Sequence, residues 1–305
     1  MKGIASAFLP RCHRDLVLRI TDKLENAQYE IRYAASTHRR LPSMLLPLTD
    51  DVQDRLSTDR FGHAMRGFEE VDSTNERAAQ WAKEGAPEGA VVLTEYQTAG
   101  RGRHGRAWSA DKGRNLLFSV VLRPSLDPDR LSLITVAAGV AIAETLDNFV
   151  SPHRSTLKWP NDILLEGRKT CGMLLESSIA NSQTVVILGV GLNVNQTDFP
   201  DALADTATSL RLTTGRPVPR AELLARLLCA LEQRYDAVQG SGANAVRAAF
   251  EERLASLHEP TTLRVPETDQ ALTGTVEGIT ETGALRLRTA DGTTTVHAGD
   301  VTTQN

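Results

Sequence analysis

Cysteine is scarce, with three in 305 residues, and Cys12, Cys171 and Cys229 stand far apart without a C-x-x-C pair. That spacing excludes a disulfide framework and a cysteine-rich zinc site, and isolated thiols suit a reducing compartment. An excess of one charge sign is missing as well. Thirty-four basic and thirty-eight acidic residues leave a net charge of −4, which excludes a surface uniformly attractive to nucleic acid or anionic lipid but allows a local basic patch. The longest uncharged stretch, Ser177–Thr197, is interrupted by Ser, Asn, Gln and Thr, and no run of about twenty mainly apolar residues is read as a membrane span. The apolar segment Ile4–Pro10 is short and runs at once into Arg11, Arg14 and Asp15, unlike a secretion signal. A cytoplasmic location is therefore expected. There is no H-E-x-x-H, no G-x-S-x-G and no Walker A lysine loop, and the seven histidines are scattered. No metal cluster and no Ser–His–Asp triad can be read.

Met1–Ser43 carries eight basic and four acidic residues. Ala34–Arg40 within it has no apolar period, so the segment through residue 47 is expected to be a weakly ordered extension. Met44 stays open as an alternative first residue. Regular patterning follows. A short helix is expected over Thr49–Leu56, capped by Thr49 or Asp50, and another over Thr74–Glu84, capped by Ser73 or Thr74 and stopped at Gly85. Ala90–Tyr96, Leu116–Arg123, Thr156–Lys158, Gly172–Ser178 and Thr184–Val194 read as strands. Leu131–Phe149 reads as a buried helix, and Arg220–Gln239 as an amphipathic one with a Leu223, Leu224, Leu227, Leu228, Leu231 stripe. Helix continues over Ala243–Leu257. After Leu257 the text changes to short alternating segments with turns at Glu281–Gly283 and Ala290–Gly292, the mark of a small β-barrel or sandwich. Strict βαβ alternation is absent, so the fold class is α+β. The expected domains are 48–256 and 257–305.

Four segments can carry chemistry. Gly100–Arg106 (GRGRHGR) interleaves three glycines with Arg101, Arg103 and Arg106. Glycine lets the backbone approach a ligand, and guanidinium forks suit carboxylate or phosphate. So many cations in one turn would repel one another unless an anion is present, so the loop is expected to be mobile when empty. Lys158-Trp159-Pro160-Asn161-Asp162 offers an amide and a carboxylate for Mg²⁺–phosphate or a polar head group, or simply a turn. Lys169, just before an apolar strand, can hold its ammonium at the strand end or lie on the surface. Gly189-Val190-Gly191-Leu192-Asn193 lacks the third glycine of a dinucleotide fingerprint, and its glycines suggest close approach of a ligand or backbone. Asp72–Asn75 reads first as helix capping.

Taken together, Asp72–Asn75, Glu95–Trp108, Lys158–Asp162, Arg168–Gly172 and Gly189–Asn193 resemble, in order and spacing, the biotin protein ligases. The likeness covers about residues 65–305. It implies a mixed-sheet catalytic domain of the biotin/lipoate protein ligase type with an SH3-like C-terminal domain. It implies a two-step reaction. Biotin and ATP give biotinyl-5′-adenylate and pyrophosphate, and a lysine of a biotin carboxyl carrier protein, an acetyl-CoA carboxylase subunit, then takes the biotinyl group. Biotin-binding positions carry over to Ser73, Thr74, Asn75, Gln97, Arg101, Gly102, Arg103 and Lys169. Gly172, Gly189 and Gly191 would lie against the ring and tail. Lys169, with Arg101 and Arg103, would offset the repulsion of two anions. Arg106 and Trp108 would cover the adenylate, with Lys158, Asn161, Asp162 and Asn193 around ATP. Asp162 would be a Mg²⁺ ligand, or alternatively orient the incoming amine. Some family members repress transcription through an N-terminal winged helix-turn-helix. Met1–Phe61 shows no such pattern, so no specific DNA binding is expected, and a homodimer through core edge strands is left open. The competing readings are a lipoate or octanoate ligase or transferase of the same fold, a non-catalytic biotin or nucleotide sensor and, more distantly, a Rossmann oxidoreductase.

Overall fold

The computed structural model describes residues 46–303 apart from 181–182, 266–269 and 298. The expectations for Met1–Ser43 lie outside them. The chain forms a mixed seven-stranded sheet and a five-stranded antiparallel one, the α+β class expected. The first sheet contains β1 (Met65–Phe68), β2 (Val91–Thr94), β3 (Leu116–Leu122), β4 (Ser155–Lys158), β5 (Asp162–Leu165), β6 (Arg168–Ala180) and β7 (Gln183–Leu192). Their spatial order is β1-β2-β3-β7-β6-β5-β4. β1 and β2 run parallel and every other pair antiparallel. The apolar runs of β2 and β3 are buried along their whole length, as continuous hydrophobic strands should be.

One face of this sheet packs on α3 (Ser132–Val150), α6 (Arg220–Gln239) and α7 (Ala243–Arg253). Phe118, Val120, Leu188 and Val190 from the strands meet Ile134, Val140, Leu146 and the α6 leucines in one core. One sequence reading needs correcting here. Pro128–Val150 does have the length and composition of a membrane span, but 72% of its most apolar window is buried inside the protein, where the sheet and two helices replace lipid. On the opposite face α2 (Thr74–Lys83) lays Ala78 and Ala82 on Val92, Val121, Val185 and Ile187.

Two helix ends differ from expectation. α1 spans Pro47–Gln53, with Pro in the first turn and Thr49 inside, its hydroxyl donating to the Leu46 carbonyl at 2.6 Å. Neither Thr49 nor Asp50 is the N-cap. α7 stops at Arg253, because Leu254 leaves the helix to bridge Leu157 of β4. β1 and β5, and the short helices α4 (Asp201–Ala204) and α5 (Leu210–Thr214), carry too few residues to show a period.

The second sheet comprises β8 (Pro260–Val265), β9 (Gln270–Ile279), β10 (Leu285–Thr289), β11 (Gly292–Val296) and β12 (Asp300–Thr303), in the order β11-β10-β9-β8-β12. It is the SH3-like part, and its turns fall where expected, with Gly283 and Gly292 at positive φ. Leu263, Val276, Leu285, Leu287 and Val301 join the same apolar cluster as Val246, Phe250 and Leu254. Trp159, 2% exposed, ties the two sheets by donating its indole N–H to the Gly283 carbonyl at 3.0 Å.

Candidate active site

The α2 face of the sheet is only half covered. Under the helix, β7 presents Val185 and Ile187. Two and four residues further on it presents Gly189 and Gly191, which share that face by the two-residue strand period. Register places Ser119 and Leu174 beside Gly189, and Leu117 and Gly172 beside Gly191. Over this strip lies a cavity of about 490 Å³. Every site residue expected from sequence lines it: Ser73, Thr74, Asn75, Gln97, Arg101, Gly102, Arg103, Arg106, Trp108, Lys158, Asn161, Asp162, Lys169, Gly172, Gly189, Gly191 and Asn193.

The three strip glycines meet protein side chains rather than open space. A Cβ on Gly189 would fall inside contact distance of the Asn75 amide, and one on Gly191 inside that of the Trp108 indole. On Gly172 it would come within 2.8 Å of the same ring. The indole therefore lies against two paired glycines, with the Lys169 ammonium 5.5 Å from its centroid, a cation–π distance. Its Nε1 is buried and without a hydrogen-bond partner.

Gly100–Trp108 folds as a hairpin. Trp108 N–H donates to Gly100 O at 2.9 Å and Gly102 N–H to Arg106 O at 2.6 Å, and the tip turns through His104 (φ 54) and Gly105 (φ 72). The expectation of a self-repelling loop needs correcting, because carboxylates from two other elements compensate it. Arg101 lies 3.1 Å from Glu76 of α2 and 3.0 Å from Glu176 of β6. Arg103 donates to Asn161 Oδ1 and to Gly299 O, both at 3.4 Å. The loop before β12 thus reaches the site, and Ala255, Ser256 and Val301 also line it.

The Asp72–Asn75 segment is not a self-contained cap. Ser73 holds the N-cap position but its side chain makes no capping bond. Gln97 replaces it, its Oε1 accepting from Thr74 N–H at 2.7 Å and lying 3.1 Å from the Thr74 hydroxyl. This leaves the Ser73 hydroxyl in the cavity wall. The Ser73 N–H, with Arg77 beside it, holds the Asp72 carboxyl below its ordinary range.

Lys169 reaches the cavity because β6 is irregular. Cys171 pairs with Ile163 but Lys169 pairs with Leu164, a bulge at Thr170. An added residue re-aims the side chains beyond it, so Lys169 shares a face with Asp162 and Gly172 while Thr170 and Cys171 are buried. Its ammonium lies 2.6 Å from Asp162 Oδ1. The backbone is clamped from outside the sheet, with Lys169 N–H donating to Thr206 O at 2.7 Å and Thr208 N–H to Lys169 O at 2.9 Å. Beneath it, burial pushes the Cys171 thiol well above its usual pKa. Asn193, 4% exposed, donates to Thr208 O at 3.1 Å and leaves its Oδ1 buried and unmet.

Sequence reasoning missed Glu76, Glu176, Ser119 and the Asp205–Thr208 segment. Ser119 pairs with Gly189, and Glu176 shares the face of Gly172 and Leu174 by the two-residue strand period, which is the signal by which they could have been found. The clamp at Thr206–Thr208 has no local signature.

Comparison with known proteins agrees with this geometry. Residues 67–193 match the biotin/lipoate A/B protein ligase family and residues 259–302 the biotin protein ligase C-terminal domain. The biotin–[acetyl-CoA-carboxylase] ligase of Mycobacterium tuberculosis is 36% identical over 266 residues, 83% of this chain and 96% of that protein. The bifunctional ligase/repressor BirA of Bacillus subtilis is 31% identical over 294 residues, 95% of this chain and 90% of that protein. The biotin protein ligase of Aquifex aeolicus, solved with biotin and ATP, superposes with a TM-score of 0.70 at 28% identity, covering 80% of this chain and 99% of that one.

Proposed function

The chain belongs to the biotin protein ligases of the biotin/lipoate A/B protein ligase family, and from that premise we propose that it joins biotin to one lysine of a biotin carboxyl carrier protein through biotinyl-5′-AMP. The observation that carries this reading is the cavity itself. A polar group of Ser73, Thr74 and Gln97, the glycine strip, the Lys169 ammonium and the hairpin guanidiniums line one and the same space. Such a cavity suits a neutral polar head, an apolar body and an anionic tail.

In the first step a carboxylate oxygen of biotin bonds to the α-phosphorus of ATP, and the bond to pyrophosphate breaks. Two anions must meet, and Lys169 between them offsets their repulsion, with Arg101 and Arg103 alongside. Preorganised donors of this kind are worth on the order of 10²–10³ in rate. In the second step the carrier amine bonds to the acyl carbon and AMP leaves, while the amine gives up a proton. Asp162, already 2.6 Å from Lys169, would hold that ammonium and orient the incoming neutral amine, whose released proton passes to solvent. Arg106 and Trp108 border the adenylate and exclude water, which would otherwise hydrolyse the anhydride. Lys158, Asn161 and Asn193 complete the nucleotide end.

Among the described residues no three His, Cys, Asp or Glu side chains gather as a metal cage. Magnesium arriving on ATP keeps waters and phosphates and needs only one or two protein oxygens. The Asp162 carboxylate and the orphaned Asn193 Oδ1 fit that need. Such a cation would screen phosphate charge.

We place the enzyme in the cytoplasm, with an acetyl-CoA carboxylase subunit as acceptor and no operator binding. Incubation with biotin, Mg²⁺-ATP and a carrier domain, read by avidin blotting and by the mass increment of the carrier lysine, tests the assignment. A lipoyl increment, or binding without pyrophosphate exchange, sinks it. A second reading, DNA binding by the segment before Leu46, is favoured by the alignment with the Bacillus ligase/repressor, because 95% of this chain is more than residues 46–305 contain. A salt-sensitive, sequence-specific mobility shift establishes that reading; its absence leaves the ligase alone.

A further inference from the structure

Behind the polar wall runs a chain of buried hydrogen bonds whose direction is dictated by donor and acceptor chemistry. It starts at Glu176. Paired with Arg101 at 3.0 Å, this carboxylate accepts hydrogen bonds and cannot donate. Asn75 Nδ2 therefore faces it, at 2.6 Å, with the Leu174 carbonyl as a second acceptor at 3.4 Å. The Asn75 amide cannot flip without setting its oxygen against two acceptors. Its Oδ1 is then fixed toward Ser119, whose single hydroxyl proton goes to it at 2.6 Å. Ser119 Oγ also lies 2.8 Å from Thr74 Oγ1. With the serine proton spent, Thr74 is the donor in that contact or toward Gln97 Oε1, and in either case its proton points into the wall.

Gln97 is fixed from the other side. A backbone N–H can only donate, so the Thr74 amide holds Gln97 Oε1 toward the helix and the Gln97 NH₂ is left to the cavity. Thr74, Asn75 and Ser119 are 4%, 4% and 0% exposed, so water does not redirect the chain.

The outcome is a wall of defined polarity, with an acceptor lone pair on Thr74 beside a donor pair on Gln97. We infer that Ser119 and Glu176 are positioning residues for substrate specificity, acting through Asn75 and Thr74 to hold this acceptor–donor pair against a cyclic urea or amide head group. Such a head supplies an N–H to Thr74 and a C=O to Gln97. An acid of similar length with an alkyl or dithiolane head supplies neither and leaves buried polar groups unmet, which is how a site rejects an analogue lacking them. This inference rests on the ligase reading and goes further, because neither residue touches the reacting atoms.

The test is steady-state pyrophosphate exchange with biotin, and separately with octanoate, for the wild type, Ser119→Ala, Ser119→Thr, Glu176→Gln and Glu76→Gln. Ser119→Ala removes the donor to Asn75. Glu176→Gln lets the Asn75 amide turn. Each is expected to raise the KM for biotin about ten-fold. Their kcat and KM for ATP should stay within about two-fold, and the preference for biotin over octanoate should fall by the same factor as KM rises. Ser119→Thr restores the hydroxyl and the wild-type KM. Glu76→Gln removes one partner of Arg101 without touching the chain, so any rise in KM it causes measures the Arg101 ion pair alone, and the preference for biotin over octanoate falls less than in Glu176→Gln. If KM and preference are unchanged in both Ser119→Ala and Glu176→Gln, or if Glu76→Gln reproduces the Glu176→Gln effect, the inference is overturned. If the wild type itself shows no biotin-dependent exchange, the ligase reading fails first.

Discussion

Strand β7 is treated in opposite ways on its two faces. Toward α3 and α6 it offers Val186, Leu188, Val190 and Leu192, all in the main core. Toward α2 it begins the same way, with Val185 and Ile187, and then gives up side chains altogether at Gly189 and Gly191. The first face is filled by the protein's own apolar groups, and errors there cost stability. The second stops being filled at the N-terminus of α2, and the space is shared by Trp108, Asn75 and a cavity. Errors there should cost chemistry first and stability less. One backbone supports both because side chains alternate along a strand.

The largest effect expected from this division is at Lys169. Lys169→Ala should keep the melting temperature near wild type and lower biotin-dependent pyrophosphate exchange by on the order of 10²–10³. Near-normal exchange would remove Lys169 from the mechanism. On the filled face, Leu188→Ala leaves a void behind a side chain 2% exposed. It should cost about 2–5 kcal/mol in urea unfolding, with the KM values of the folded fraction unchanged. On the glycine strip, Gly191→Ala pushes the Trp108 indole off its seat, and overpacking of this kind costs about 1–3 kcal/mol. Because the ring borders the cavity, the loss should appear as lower activity and altered tryptophan emission. An unchanged emission spectrum would mean that the indole does not rest there. The smallest effect concerns the thiols. Burial raises the Cys171 pKa and suppresses its thiolate, so alkylation at mildly alkaline pH followed by peptide mapping should mark half-buried Cys229 and spare Cys171 until denaturant is added. Early labelling of Cys171 would show that the clamp over Lys169 opens.

Much of the site was legible because its parts are contiguous motifs. GRGRHGR, KWPND and GVGLN each carry their chemistry within seven residues or fewer, and all the residues chosen from them line one cavity. The misreadings share a physical origin. Local capping predicts the Ser73 hydroxyl as the acceptor at this helix start, whereas the acceptor is Gln97 Oε1, 23 residues from the Thr74 N–H that it caps. The hairpin arginines were expected to need an external anion because the loop contains no acid, whereas Glu76 and Glu176 arrive from a helix and a distant strand. Leu131–Phe149 reads as a buried helix from its sequence, and packing bears this out although Pro128–Val150 also has the length and composition of a span.

Periodicity and composition by themselves determined the α+β class, the two longest helices, the two central strands β3 and β7 and the turns of the second sheet, while the motifs and the resemblance they carry supplied most of the site residues. These are local properties: a two- or 3.6-residue period, a turn glycine, a run of one residue type. Tertiary structure alone decided which way the site residues point. The bulge at Thr170 turned Lys169 inward, the Asp205–Thr208 segment clamped it, acceptors on β6 set the direction of the Asn75 amide, and the Thr74 N–H of α2 set that of Gln97. Those choices depend on which partner lies within about 3 Å across the sheet, a distance that no stretch of sequence contains.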